Sequence, residues 1–332
     1  MRKRNKPDLL ILFFKSVLMG TANKLPGISG GLVALITGFY HEMVITFKSL
    51  NIKTIKALLR GNFKKIEKEY NGLFLVIVLL GIIVSYFTTS KILDFFFKIS
   101  ELNVWSFFFG MIIASLFILI NQNKVNNKKD IIYLCIGFSI GFILSISDPI
   151  SENQNLLFVF FCGMISICGM IIPGISGSFL LILLGNYKLL LVDSVDALIE
   201  SVWIITNMDN FNDIDFNLIR ILIVFSLGSV FGLILLSNIL SWLINNYENT
   251  VNQLIIGFVS GSLLMIWPWK KSYIEEFNNL EISNNYLRYL PDLSQTKDII
   301  ALACVISGLV IVLYVEKYVS RKKNIWTYRE KN

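Results

Sequence analysis

The sequence predicts an all-α polytopic membrane protein of two inverted-topology repeats, each a re-entrant helical hairpin followed by three transmembrane helices. Composition is the first ground. The 332 residues are 55% hydrophobic and 16% charged, with a mean hydropathy of +0.65, whereas a soluble domain carries about 25% charged residues. Apolar length is the second. Stretches at 73–90, 104–120, 131–146, 218–244, 251–267 and 299–315 each approach the roughly 20 residues that cross hydrocarbon as a helix. Duplication is the third. Pro26-Gly27-Ile28-Ser29-Gly30 returns as Pro173-Gly174-Ile175-Ser176-Gly177, 147 positions on, and the same offset pairs Gly38 with Gly185, Tyr40 with Tyr187, Gly81 with Gly228, Ser90 with Ser237, Gly110 with Gly257 and Ser115 with Ser262. Residues 20–121 therefore lie over 167–268 without a gap, a unit far longer than a solenoid repeat.

The first repeat, 1–147, reads as a hairpin over 9–44, a basic cytoplasmic segment over 45–71 and spans at 72–97, 104–121 and 130–147. The second, 148–332, reads as a hairpin over 155–191, an acidic external segment over 192–217 and spans at 218–244, 251–268 and 298–319. The N-terminal apolar segment matches the mid-chain segment 156–171, so it reads as a retained hairpin arm rather than a signal peptide.

Charge gives the inversion. Segment 45–71 holds Lys48, Lys53, Lys56, Arg60, Lys64, Lys65 and Lys68 against Glu67 and Glu69, a net +5. Its counterpart 192–218 holds six acidic residues and no basic one, a net −6. Equivalent positions of opposite charge are what the positive-inside bias produces when two copies face opposite ways. Parity agrees, because a hairpin returns the chain to its starting side and three spans then leave it on the other. The reading places both termini of a multi-pass membrane protein in the cytoplasm. The net charge of +7 belongs to loops and termini and does not point to nucleic acid.

Cys135, Cys162, Cys168 and Cys304 sit in apolar stretches without metal or disulfide spacing, and His41 is the single histidine. The sequence therefore calls for no metal and no cofactor. It also disfavours a lipid phosphatase, which draws on histidine or metal-ligand clusters; no catalytic residue is expected.

The motifs carry the chemistry. Proline ends one helix or starts the next, and glycine permits a tight turn with open backbone. A helix starting inside the membrane would direct unpaired N–H groups and a partial positive charge at an anion. The candidate substrate-binding residues are Asn23, Lys24, Pro26, Gly27, Ser29, Gly30 and Gly31 in the first copy. In the second they are Pro173, Gly174, Ser176, Gly177 and Ser178. Asn23 is expected to add an amide donor and Lys24 a point charge. Lys15, Glu42 and Arg220 are candidate coupling or charge residues, with bland alternatives of snorkelling for Lys15, interfacial charge for Glu42 and interfacial anchoring for Arg220. The counterparts of Lys15 and Lys24 are the apolar Cys162 and Ile171, so any site is asymmetric.

The pair Asn23-x-x-Pro26-Gly27-Ile28-Ser29-Gly30-Gly31 and Ile172-Pro173-Gly174-Ile175-Ser176-Gly177-Ser178 resembles the bacterial polyprenyl-phosphate transporter family (PopT type), formerly catalogued as a domain of unknown function. The resemblance covers roughly residues 9–320, including the Gly-x-Tyr that closes each motif helix. It departs at Leu32, where a small hydroxyl residue is expected. The resemblance implies a flippase that returns undecaprenyl phosphate from the outer to the inner leaflet for carrier-lipid recycling in cell-envelope synthesis. Moving an anion inward opposes an inside-negative potential by about 2.3 kcal/mol per charge per 100 mV, so a coupled proton or cation is a further expectation. The alternative class is a small-anion or organic-anion symporter of the same inverted-repeat type.

Overall fold

The computed structural model describes residues 6–40, 42, 43, 46, 71–125, 127–146, 152–171, 176–207, 211–277 and 280–330. The basic segment apart from Thr46 and Asn71, and Pro173 and Gly174 of the second motif, lie outside the described residues. Helix α1 spans Lys6–Lys24 and α2 Gly30–Thr37. Then follow α3 Gly72–Ile99, α4 Glu101–Gln122 and α5 Lys128–Ile146. Helices α6, Leu156–Ile171, and α7, Gly177–Leu183, precede a π-turn at Leu189–Asp193 that continues into α8, Ser194–Asn207. Helix α9, Phe216–Ser262, breaks at Tyr247 (φ −137°, ψ 35°) into two limbs. The chain ends with α10, Thr296–Glu330. Helices α3, α4, α5 and the Thr296–Tyr318 part of α10 are each long and apolar enough to cross a bilayer. The protein is a helical multi-pass membrane protein.

Helix ends follow local chemistry. Ser100 caps α4 by accepting the Asn103 N–H, and Asp215 caps α9 by accepting from Asn217 and Leu218, so side chains supply acceptors the first turn lacks. The break at Tyr247 falls in the polar run Asn245-Asn246-Tyr247-Glu248-Asn249. One departure from a purely helical chain is an antiparallel ladder of β1, Lys270–Phe277, and β2, Leu280–Arg288. The sequence reading places no span between 251–268 and 298–319, where this ladder lies. Its Tyr273, Ile274, Phe277, Ile282 and Tyr286 are the β-branched and aromatic residue types that favour strands.

The repeat is visible in the backbone. Gly38 and Gly185 both adopt positive φ, +82° and +74°. The bond from Phe39 N to Ala34 O (3.1 Å) reappears as Asn186 N to Leu181 O (3.1 Å), and Met43 N to Phe39 O (2.9 Å) reappears as Leu190 N to Asn186 O (3.0 Å). Each pair is separated by the 147 positions of the sequence repeat.

Two compact units cut across the repeats: residues 1–24, 29–89 and 317–332 form one, and 25–28 with 90–316 the other. In the first, Leu12, Met19, Ala34, Phe39, Met43, Phe74 and Val78 make the core. Here α1 and α3 run side by side in the same direction, with Gly81 against Ser16 and the Phe13 carbonyl and Gly20 against Ser85. In the second unit α6 and the first limb of α9 repeat that crossing, with Gly228 against the Phe160 carbonyl, 147 positions from Gly81 and Phe13.

The second unit also exchanges helices between repeats. A Cβ on Gly110 of α4 would meet the Val305 carbonyl of α10 at 1.9 Å, and one on Gly308 would meet the Phe107 carbonyl at 2.2 Å. Equivalently, Gly257 of α9 faces the Leu134 carbonyl of α5 at 2.0 Å and Gly137 faces the Leu254 carbonyl at 2.1 Å. The last helix of each repeat thus packs on the second helix of the other. Gly137 with Leu254 and Gly141 with Phe258 advance together, so α5 and the second limb of α9 run in the same direction. Lipid is as apolar as leucine, so membrane helices associate through such close packing rather than through a hydrophobic driving force. Large apolar side chains such as Phe95, Ile143, Ile306 and Val310 are exposed and supply the lipid-facing surface. Gly257→Leu is expected to cost about 1–3 kcal/mol or more through overpacking against backbone. The check is a thermal unfolding scan of the detergent-solubilised protein, in which an unchanged midpoint would contradict the packing.

Candidate functional site

Both motifs sit between two helices that pack on each other, α1 with α2 and α6 with α7. Within the first unit, Asn23 at the end of α1 reaches over the turn. Its Oδ1 accepts the Gly30 N–H at 3.0 Å, satisfying one of the donors that open α2. The amide of Asn23 therefore acts first as an acceptor, although the sequence argued for a donor. Gly30 is buried, and a Cβ there would lie 2.3 Å from that same oxygen. Lys24 is fully buried; its Nζ donates to the Tyr86 carbonyl at 2.7 Å and lies 4.3 Å from the Tyr86 ring centroid. Lys15 donates to the Thr37 carbonyl at 2.5 Å, which places a cation on the last turn of α2, where the helix dipole favours it. Ser29 and Gly31 are half-buried.

Within the second unit Gly27 of the first motif meets Ser176 of the second. The Gly27 N–H donates to Ser176 Oγ at 3.2 Å, across 149 residues of chain. The Ser178 hydroxyl donates to the same oxygen at 3.1 Å, and the Phe179 N–H does so at 3.3 Å, making Ser176 the N-cap of α7. Three donors thus converge on one hydroxyl oxygen, which has two lone pairs. The Gly27 carbonyl is held by α4, whose Ser115 hydroxyl donates to it at 2.5 Å and to Met111 O at 3.0 Å. Gly27 has φ +87°, and a Cβ would lie 2.8 Å from both Met111 O and Ser115 Oγ. Pro26, Ser176, Gly177 and Ser178 are buried. Gly177 rests on α6, with the Ser166 carbonyl 2.2 Å from where its Cβ would be.

The remaining candidates lie elsewhere. Glu42 accepts from Asn71 Nδ2 at 2.8 Å. Arg220 is exposed at the start of α9 and donates to Asn217 Oδ1 at 2.7 Å, as an interfacial anchor would. Sequence reasoning did not select Ser115 for the site. The available signal was its pairing with Ser262 in the ungapped repeat, a small hydroxyl kept twice inside an apolar span.

Residues 19–282 match the family described as VCA0040-like, undecaprenyl phosphate translocase-like. The chain is 28% identical to the polyprenyl-phosphate transporter of Vibrio cholerae over 322 residues, covering 95% of this chain and 98% of that protein. It is 25% identical to the polyprenyl-phosphate transporter of Staphylococcus aureus over 270 residues, covering 78% and 86% respectively. No solved structure matches the chain.

At position 27 a left-handed backbone and a filled Cβ space act together. Gly27→Ala should cost about 1–2 kcal/mol for the backbone and about 1–3 kcal/mol for overpacking. Gly31→Ala, whose Cβ meets nothing closer than 3.4 Å, should be neutral or stabilising by up to about 1 kcal/mol. Paired thermal unfolding midpoints in detergent check this; equal midpoints would contradict the geometry of the turn.

Proposed function

The chain belongs to the undecaprenyl phosphate translocase-like family, a family of transporters rather than enzymes, and we propose that it carries a polyprenyl phosphate across the membrane. One observation carries the reading. The Gly27 amide and the Ser178 hydroxyl converge on Ser176 Oγ, so two glycine-serine motifs from opposite repeats meet where an anionic oxygen could take over their hydrogen bonds. Ser115 lies seven residues from the end of α4, about 10 Å along its axis, so the convergence sits well inside the bilayer.

The cargo on this reading is undecaprenyl phosphate, moved from the outer to the inner leaflet of the cytoplasmic membrane. Its tail stays in lipid and its phosphate passes through the protein. Gly27, Ser176, Ser178 and Ser115 replace part of the water around the phosphate. Asn23 accepts from Gly30 across the first turn; Lys15 ties α1 to the end of α2 through the Thr37 carbonyl, and Lys24 ties α1 to α3 through the Tyr86 carbonyl. The hairpins are read as re-entrant. The second arms α2 and α7, of 8 and 7 residues, reach about 12 Å and 10 Å, well short of the roughly 30 Å of hydrocarbon.

The repeats are read as inverted, and the helix directions support this. Helices α4 and α5 are joined by residues 123–127, so as successive spans they run oppositely. The second limb of α9, counterpart of α4, runs with α5 and therefore against α4. Such halves move by rocking around a shared site, and a co-transported proton or cation offsets the membrane potential.

A hydrogen bond to a charged group is worth about 1.5–3 kcal/mol. Ser176→Ala and Ser178→Ala should therefore each slow lipid-phosphate flipping in reconstituted vesicles by roughly tenfold to a hundredfold. Inorganic phosphate should compete poorly with the long-chain lipid. Wild-type rates in both variants would remove the motif from the mechanism, and strong inorganic-phosphate competition would favour a small-anion carrier.

A further inference from the structure

Two cations are held together where the second limb of α9 ends. Lys270 opens β1, Arg288 closes β2, and the ladder sets them directly opposite each other, an arrangement that like charges disfavour. Both reach the same patch of backbone. Lys270 Nζ donates to the Met265 carbonyl. Arg288 Nε donates to Leu264 O at 3.1 Å, and its Nη2 to Ser145 O at 2.6 Å at the end of α5. These carbonyls close the C-terminal ends of α5 and α9, the negative ends of helix dipoles.

The carbonyls orient the cations without neutralising them. An ammonium has three N–H donors and a guanidinium five. Among the described residues Lys270 uses one and Arg288 two. No described carboxylate acts on Lys270; its charged neighbour is Arg288, and burial beside that guanidinium lowers its pKa to about 8. On the same segment Trp269 is 2% exposed, and its indole N–H has no acceptor among the described residues. The rings of Trp267 and Trp269 lie 5.3 Å apart, and the Trp267 indole donates to Tyr289 O. Such aromatics mark the lipid–water boundary.

We propose that Lys270 and Arg288 form a clamp for the phosphate of a lipid phosphomonoester at the membrane face, holding the headgroup before it reaches the Gly27–Ser176 turn. The inference rests on the reading of the chain as a lipid-phosphate carrier and deepens it. A guanidinium fork matches phosphate oxygens and an ammonium adds a point charge. Two adjacent cations match the −1.5 to −2 charge of a phosphomonoester better than the single charge of a phosphodiester lipid. The clamp thereby selects a scarce monoester against abundant diester lipids.

The test uses the full chain in nanodiscs, titrating polyprenyl phosphate against tryptophan emission, with phosphatidylglycerol and inorganic phosphate as competitors. Lys270→Gln and Arg288→Gln should each raise the apparent Kd at least tenfold. In vesicles the same variants should raise the half-saturating lipid concentration about tenfold and leave the saturated rate unchanged. Ser176→Ala should instead lower the saturated rate. Lys270 loses its charge as pH rises through about 8, so wild-type affinity should fall between pH 7 and 9, while Lys270→Arg should retain it. A wild-type titration curve in the double variant would overturn the clamp. So would equal competition by phosphatidylglycerol or inorganic phosphate, or variants that lose only thermal stability, which would reduce the pair to helix caps. Binding that needs both cations, in a wild-type protein that moves no lipid, would keep the clamp and remove the carrier reading.

Discussion

Backbone groups removed from water must find hydrogen-bond partners inside the protein, and Gly27 shows how this chain meets that demand. Its N–H goes to Ser176 in the other repeat and its carbonyl to Ser115 on α4. Neither partner is local. The turn therefore holds its shape only when α4 and the start of α7 are in place around it, and the left-handed φ of Gly27 is stabilised by that surrounding packing. One constraint thus ties Gly27, the span α4 and Ser176 of the second motif together.

The same economy of hydrogen-bonding groups explains the glycines away from the motifs. Where lipid supplies no hydrophobic push, helices gain by bringing backbones close. The exchanged contacts of α4 with α10 and of α5 with α9 do this with glycine against carbonyl. They obey the repeat symmetry even though the last helices are offset by 171 positions rather than 147. The extra residues include the β1–β2 ladder, an insertion that left the contact intact. Packing geometry, and not spacing along the chain, is what the duplication preserved.

The sequence therefore disclosed what repeats or scales with local composition. Long apolar runs foretold α3, α4 and α5. The offset of 147 paired Gly38 with Gly185, and the structure gives both glycines a left-handed turn with equivalent hydrogen bonds. What stayed hidden depends on partners far along the chain. Lys15 donates to the Thr37 carbonyl and Lys24 to the Tyr86 carbonyl, 22 and 62 residues away, and no local spacing announces either. Asn23 became an acceptor because the chain turns back to bring Gly30 onto it. Ser115 escaped notice for the same reason, since its role exists only where α4 crosses the motif.

Magnitudes then limit what such a turn can do for the proposed cargo. Gly27, Ser178 and Ser115 are neutral donors, worth about 1.5–3 kcal/mol each against a charged oxygen, so together roughly 5–9 kcal/mol. Moving one ion into a dry interior costs about 20 kcal/mol in the idealised limit and still several kcal/mol after relaxation and water entry, and a phosphomonoester carries nearly two charges. Neutral donors alone cannot hold that anion dry. The headgroup must keep part of its water or travel with a compensating proton or cation. Weak central binding is also what a carrier requires, because a headgroup held by fixed cations at mid-membrane would not leave. Placing the cationic pair at Lys270 and Arg288, at the end of the helices, and hydroxyls and amides at depth separates capture from passage.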